Sequence, residues 1–278
     1  MESYEHRQKG QVGSSRIRGE WLLNHWPEAE AYKIGQKYDA VIFQKAYWPE
    51  WLRSFQGIKI FDICDPDWID GKPVKECFEL CDYVTTSTEA LAEFIRTITD
   101  KPVECIPDRI DIGEHTGKKE HNGRAKRAVW FGYHHNQKTI DQCLSTLQRL
   151  GLDLTVISDM PYYPESRVQG VDDDWIKDHV VNIKYDYATI CQDLIQGGDM
   201  LINPRLEEGR FKFKSNNKSV TAWALALPVA QDADDMERFM DEGERSKEAV
   251  EKLREVAEKY DVRQSVARYN AIIASIQK

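Results

Sequence analysis

Between Leu201 and Ala230 the sequence gathers Arg205, Arg210, Lys212, Lys214 and Lys218, with Glu207 and Glu208 as the only acids. The chain as a whole carries a net charge of −9, so these cations mark a local positive site. Upstream, Gly198 to Ile202 is a short apolar run of the kind that forms a buried parallel strand, and Asn203-Pro204 breaks it. Downstream, Val220, Trp223, Ala224 and Leu227 fall at helical spacing, with Ser215 or Asn216 as N-cap and Pro228 as terminator before a new strand at Val229. A basic loop that empties onto a helix start meets unpaired N–H groups and the positive end of the helix dipole. That combination suits a phosphate or pyrophosphate held without a metal. A solvated loop accounts for the charges by themselves; the strand before it and the helix after it favour the site.

Other groups stand where α/β folds place ligand contacts. Asp39–Phe43 reads as a buried strand ending at Gln44-Lys45, and the carboxyl ends of parallel strands are where open sheets bind ligands. Gly57–Cys64 is a second strand, and Asp62, Asp65 and Asp67 cluster at its end. A carboxylate there serves as general base toward a hydroxyl, or, equally, Asp65 and Asp67 cap the turn into a helix over 72–80. Asp65-Pro66-Asp67 also spells the DxD metal signature, a pattern that an acidic chain repeats by chance at Asp172-Asp173-Asp174. Near the N-terminus, Met1–Lys9 does not read as the apolar strand that opens most α/β folds. The following Gly10–Gly19 loop leads into a helix, with Ser14, Ser15, Arg16 and Arg18 at the junction, a second anion-friendly turn or simply a solvated face. Strand 127–132 ends in Gly132, which lets a ligand approach the backbone, and His134, His135 and Lys138 follow in the first helical turns. The aromatic run Ala46–Leu52 is either a sugar-stacking wall or helix-to-sheet packing.

These groups need a scaffold, and 278 residues allow one large or two modest domains. With 38 Lys+Arg against 47 Asp+Glu, a broad nucleic-acid-binding surface is disfavoured. The six cysteines form no CxxC pair and read as reduced residues of a cytoplasmic protein. The pair Cys77 and Cys81, one helical turn apart, reads as apolar packing rather than a metal site. No signal peptide or transmembrane segment is legible.

The order of strand, charged loop, helix and then Ala224-Leu225-Ala226-Leu227-Pro228-Val229 resembles the donor segment of GT-B glycosyltransferases, the GT4-like group in particular. Pro204 and Glu208-Gly209 match that segment, with Ala226 where the family has Gly and Thr221 where its second glutamate stands. Cys81–Ile95 and Val103–Asp111 resemble two further family segments, Asp108-Arg109 replacing Asn-Gly. The resemblance implies an α/β fold of two Rossmann-like domains facing a cleft. They are an acceptor domain over 1–112, joined by a returning helix 262–278, and a donor-nucleotide domain over 124–261. It implies transfer of a sugar from a nucleotide diphosphate sugar to an acceptor hydroxyl, metal-independent, with no cofactor and with retention at the anomeric carbon. Donor contacts are expected from Gly132, His134, Lys138, Arg205, Glu208, Arg210, Lys214, Asn216, Asn217, Lys218 and Thr221. The family's diphosphate-binding Arg has no counterpart, since His134 or His135 stands near its place. Asp62 or Asp65 is expected as the catalytic carboxylate, with Ser14, Ser15, Arg16, Arg18 and Lys45 on the acceptor side. Alternatives are an inactive descendant that binds the nucleotide sugar, a metal-dependent enzyme using Asp65 and Asp67, and, as a narrower version of the main reading, transfer to hydroxymethylated DNA bases.

Overall fold

The computed structural model describes residues 12–164, 168, 170–206 and 208–277. The expectation for Met1–Lys9 therefore lies outside the described residues. The chain divides into two compact units, one of residues 1–111, 207–216 and 260–278, the other of 112–206 and 217–259. The segment 207–216, read from the sequence as part of a donor domain, thus belongs to the first unit.

In the first unit, α1 (Gly13–Ser15), a π-type turn (Arg16–Glu20) and α2 (Trp21–Asn24) form one continuous entry helix. Strands β1 (Ala40–Gln44), β2 (Ile58–Ile63), β3 (Tyr83–Thr86) and β4 (Val103–Cys105) pair in parallel in chain order. Helices α3 (Pro49–Ser54), α4 (Val74–Leu80) and α5 (Glu89–Arg96) are the crossovers. Period-two alternation along β2 decides the packing. Phe61 and Ile63 join Leu52, Phe78, Leu91 and Ile95 in one apolar core, whereas the neighbouring Asp62 takes its partners from the entry helix and the C-terminal segment. The α5 helix is capped by Thr88, whose hydroxyl accepts from the Leu91 amide.

The second unit has five parallel strands, β5 (Arg127–Phe131), β6 (Asp153–Ser158), β7 (Val180–Lys184), β8 (Met200–Ile202) and β9 (Val229–Ala230), in the order β7-β6-β5-β8-β9. Its helices are α6 (Leu144–Leu150), α7 (Asp173–His179), α8 (Ile190–Gly197), α9 (Asn217–Ala224), α10 (Ala233–Arg238) and α11 (Glu242–Lys259). Ala128, Trp130, Leu154, Val156, Met200 and Ile202 line one face of the sheet with Leu144, Leu147, Met236 and Phe239. Residues 134–142, expected as the first turns of an α-helix, are instead 3-10. Helix α7 is capped by Asp172, which accepts from the Asp174 amide. The last helix, α12 (Val262–Ile276), lies in the first unit.

The donor-loop helix begins at Asn217 and ends sooner than the apolar spacing implies. Ala226 adopts the left-handed conformation, φ 59°, and the Ala226 and Leu227 amides donate to Trp223 and Ala222 at 3.0 and 2.9 Å. That is a Schellman-type stop. It places Leu227 beyond the helix although its spacing fits the stripe.

Candidate functional site

In the second unit the strand order reverses at β5, which has β6 on one side and β8 on the other. Crevices at the carboxyl ends of strands flanking such a reversal are where doubly wound sheets bind ligands. Gly132 follows β5 at this edge, and its φ of 151° favours glycine. Its backbone is tied down on both sides: its amide donates to Ile157 at 3.1 Å and its carbonyl accepts from the Ser158 hydroxyl at 2.7 Å. A Cβ at Gly132 would stand 2.5 Å from the Lys218 ammonium. Lys218, second residue of α9, lies with Nζ 4.1 Å from the Trp130 ring centroid and 5.9 Å from that of Phe131. A cation over an indole face is held there electrostatically.

After β8, the Asn203 amide nitrogen donates to Ser219 Oγ in the same helix turn at 3.0 Å. After β6, Asp159 accepts from the His134 amide at 2.8 Å and lies 2.7 Å from its ring. Burial pushes the Asp159 carboxyl up, but the His134 bonds outweigh it and hold it below the ordinary value. The edge therefore combines a side-chain-free backbone, a lysine, a polar side-chain amide and the N-terminal end of an eight-residue helix. Among the expected donor residues, Gly132, His134, Lys138, Arg205, Asn217, Lys218 and Thr221 are on this unit. Lys138 and Arg205 are exposed, and Thr221 is half-buried in α9. Asn203, Ser158 and Asp159 were not singled out from the sequence; the signal they carry is a polar residue at a strand's carboxyl end, overlooked at Asn203 because Pro204 reads as a breaker.

Glu208, Arg210, Lys214 and Asn216 lie in the first unit. Arg210 pairs with Asp70 at 2.7 Å and Lys214 with Asp65 at 2.8 Å. The Ser215 hydroxyl donates to Asp108 at 2.6 Å and the Asn216 side-chain nitrogen to the Tyr260 hydroxyl at 3.0 Å; Asn216 immediately precedes α9. Phe213 is buried against Trp68 and Phe94. The basic loop is thus fastened to the first unit by carboxylates far from it in sequence, which its composition does not reveal. Glu208 is exposed.

Two expected first-unit roles are corrected. Asp62 has no exposed surface. Its oxygens accept from Arg18 Nε at 2.7 Å and Nη2 at 2.5 Å, from Thr85 at 2.7 Å and from Tyr269 at 3.1 Å. A carboxylate so enclosed has no open oxygen for an acceptor proton. Arg18 is 5% exposed and also donates to Asp108 and the Ile106 carbonyl, both at 2.9 Å, so it faces the interior and not an acceptor. Burial opposes its charge, but Asp62 above all, then Tyr269 and Asp108, hold it protonated well above its usual value. Ser15 is buried in α1, Ser14 half-buried beside it, and the Arg16 guanidinium lies 5.5 Å from the Trp21 ring centroid.

Asp65 remains partly open. It sits 2.9 Å from Lys45 and 2.8 Å from Lys214. Burial raises its pKa, yet the two ammonium groups, Lys214 first, prevail and keep it below the ordinary carboxylate range. Lys45 also reaches Asp67 at 3.0 Å, and Asp67 accepts from the Tyr47 hydroxyl. Lys45 has φ 48°, a costly conformation for a residue with a side chain and one found at functional sites. Its strain is held by a 2.9 Å bond from its amide to the Asp62 carbonyl. Any ion at the Asp65-Pro66-Asp67 pair would compete with Lys45 for both carboxylates. Among the described residues no three His, Cys, Asp or Glu side chains group as a metal site, and no helix is long and apolar enough to cross a membrane.

No family model and no curated protein matches the sequence. Solved structures do. Accessory secretory protein 1, 2 and 3 of Streptococcus pneumoniae gives a TM-score of 0.54 at 10% identity over 87% of this chain and 54% of that one. A DNA-modifying β-glucosyltransferase, solved with and without its substrate uridine diphosphoglucose, gives 0.53 at 10% identity over 86% and 81%. The Glycosylation Associate Protein (Gap123) complex of Streptococcus agalactiae gives 0.51 at 10% identity over 85% and 54%. This chain thus spans about half the length of the two streptococcal chains. At such identities the likeness is one of fold, and the fold is the GT-B-type α/β architecture of two parallel-sheet units that the sequence led us to expect.

Proposed function

We propose that the chain is a glycosyltransferase that moves a sugar from a nucleotide diphosphate donor to an acceptor hydroxyl. The observation that carries this reading is the meeting of Gly132, Asn203 and the Lys218 end of α9 at the strand reversal of the second unit. A diphosphate there would lie against bare backbone, beside a fixed ammonium and at the positive end of a helix. When the bond from the anomeric carbon to the diphosphate oxygen breaks, negative charge grows on that oxygen. Preorganised cations and N–H dipoles stabilise it without reorganising. Lys218 is the principal cation of the proposal and Lys138, also expected from the sequence, an auxiliary one. On the first unit, Asp65 replaces Asp62 as the carboxylate proposed to act toward the acceptor proton. Metal independence and retention belong to the same proposal and rest on the family resemblance.

The test is thermal shift of the full chain with UDP, GDP, ADP, CMP and dTDP and their sugar conjugates, with manganese or chelator. A ligand bound only to the folded state raises its apparent stability. A chelator-insensitive rise with one diphosphate, lost in Lys218→Ala, is expected; absence of any rise sinks the donor site. The ion pairing of Arg210 and Lys214 leaves fewer cations for the leaving group, which favours one second reading, a descendant that binds the nucleotide sugar without turnover. Release of nucleotide from the bound conjugate excludes it.

A further inference from the structure

An aromatic platform on the first unit is not used by the proposed donor site. Trp48, 48% exposed, caps α3, and Trp51 stands one turn on with ring centroids 5.3 Å apart. Trp51 lies 5.8 Å from Tyr32, itself 45% exposed, and Tyr32 lies 5.4 Å from Tyr38. The rings are fixed before any ligand arrives. Trp51 packs partly against the apolar core. The Tyr38 hydroxyl accepts from the Lys33 amide at 3.0 Å and donates to Glu30 at 2.9 Å, closing the loop that carries Tyr32.

Exposed aromatic faces are electron-rich. They attract either the C–H faces of sugar rings or stacked bases. Charge separates these occupants. Residues 28–53 carry Glu28, Glu30, Asp39 and Glu50 against Lys33, Lys37, Lys45 and Arg53, four of each sign, so the platform is neutral within an acidic chain. Single-stranded nucleic acid is held by stacking combined with a positive groove, which a neutral surface on an acidic protein does not offer. A second copy of this chain is a poor occupant too. Half-exposed rings offer on the order of 100 Å² each, well short of the roughly 800 Å² per partner of a stable interface. A neutral sugar ring fits what remains: the half-exposed faces of Trp48 and Tyr32, tilted against Trp51 between them, with the Glu30 carboxylate and the Tyr38 hydroxyl of the same loop to meet its hydroxyls. Trp48 also follows Lys45 and Tyr47, which hold Asp65 and Asp67.

We infer that Trp48, Trp51 and Tyr32 form a binding platform for a neutral oligosaccharide or the sugar moiety of a glycosylated acceptor. Its assignment as the acceptor rests on the transferase reading; glycan binding itself does not. The test is a titration of the full chain with cellohexaose, maltohexaose and chitohexaose, followed by tryptophan fluorescence and calorimetry. Single-stranded DNA with and without 5-hydroxymethylcytosine is run alongside. One glycan is expected to bind saturably, about tenfold more weakly in Trp48→Ala and close to normally in Trp48→Phe. The UDP thermal shift should be the same in both variants. Failure of all three glycans to bind overturns the inference, as does equal binding by Trp48→Ala or binding of DNA alone through Trp48. Glycan binding without any nucleotide shift leaves the platform standing and removes the donor site, so the two failures are distinguishable.

Discussion

Gly132 and Lys218 share one space: a methyl group on Gly132 would stand 2.5 Å from the Lys218 ammonium, which rests over Trp130. The bare backbone is what allows the lysine to stay at the end of β5. Gly132→Ala is therefore expected to push Lys218 away and also to strain a φ of 151°. The strain should cost about 1–3 kcal/mol in urea unfolding. The UDP thermal shift should fall as far as in Lys218→Ala, which loses on the order of 0.5–2 kcal/mol of cation–π attraction. A Gly132→Ala protein that binds nucleotide like wild type would separate the position of Lys218 from phosphate binding.

Asp62 and Arg18 make the opposite case, a charged pair whose role is structural. Removing one partner strands a buried charge, so Asp62→Asn and Arg18→Met are each expected to lose about 3–5 kcal/mol in denaturant unfolding. At temperatures where these variants remain folded, nucleotide binding should be unchanged. Loss of turnover with stability intact would instead return Asp62 to the chemistry.

The difference between these two sites explains what the sequence could reveal. The strands were legible because Asp39–Phe43, Gly57–Cys64 and Arg127–Gly132 are short apolar runs bounded by breakers, and each forms a strand within a residue or two. Gly132 and Lys218 were legible for the same reason, since both sit at element ends. Asp62 looked catalytic because it ends a strand. Its direction into the interior follows from alternation together with Arg18 and Tyr269, 44 and 207 residues away. The partners of the basic loop were hidden for the same reason: the carboxylates that pair with Arg210 and Lys214 are 140 and 149 residues away. Charge pattern reports local sign, whereas pairing at that separation is decided by the tertiary fold.

Asp65 gives a pH dependence. Its folded pKa is depressed, so its contribution is present above the unfolded carboxylate value of about 3.9 and is lost as pH falls through the lower folded value. Asp108 has the opposite sign. Burial first, against Arg18 and Ser215, raises its pKa, so its contribution is largest below the unfolded value and declines as pH rises through the folded one. Subtracting Asp65→Asn from wild type isolates the first. The difference in urea midpoint should be constant from pH 7 to about pH 5 and shrink below about pH 4. A difference that grows on acidification would contradict the Lys45 and Lys214 pairing.

Ala226 ends α9 at φ 59°, and Leu227 donates back to Ala222 at 2.9 Å to close the stop. A residue with a Cβ pays about 1–2 kcal/mol to stand in the left-handed region, and glycine is the usual occupant there because it avoids that clash. Glycine also makes the unfolded chain freer, which offsets about 0.4–1 kcal/mol of the relief. Ala226→Gly is therefore expected to stabilise the protein by up to about 1 kcal/mol, read as a higher urea midpoint at unchanged slope. Ala226→Val, β-branched and buried, should destabilise it. Because Asn217 and Lys218 open the same helix, the glycine variant should bind nucleotide as wild type does. A glycine variant less stable than wild type would mean that the Ala226 methyl, 4% exposed, contributes more by packing than its backbone strain costs.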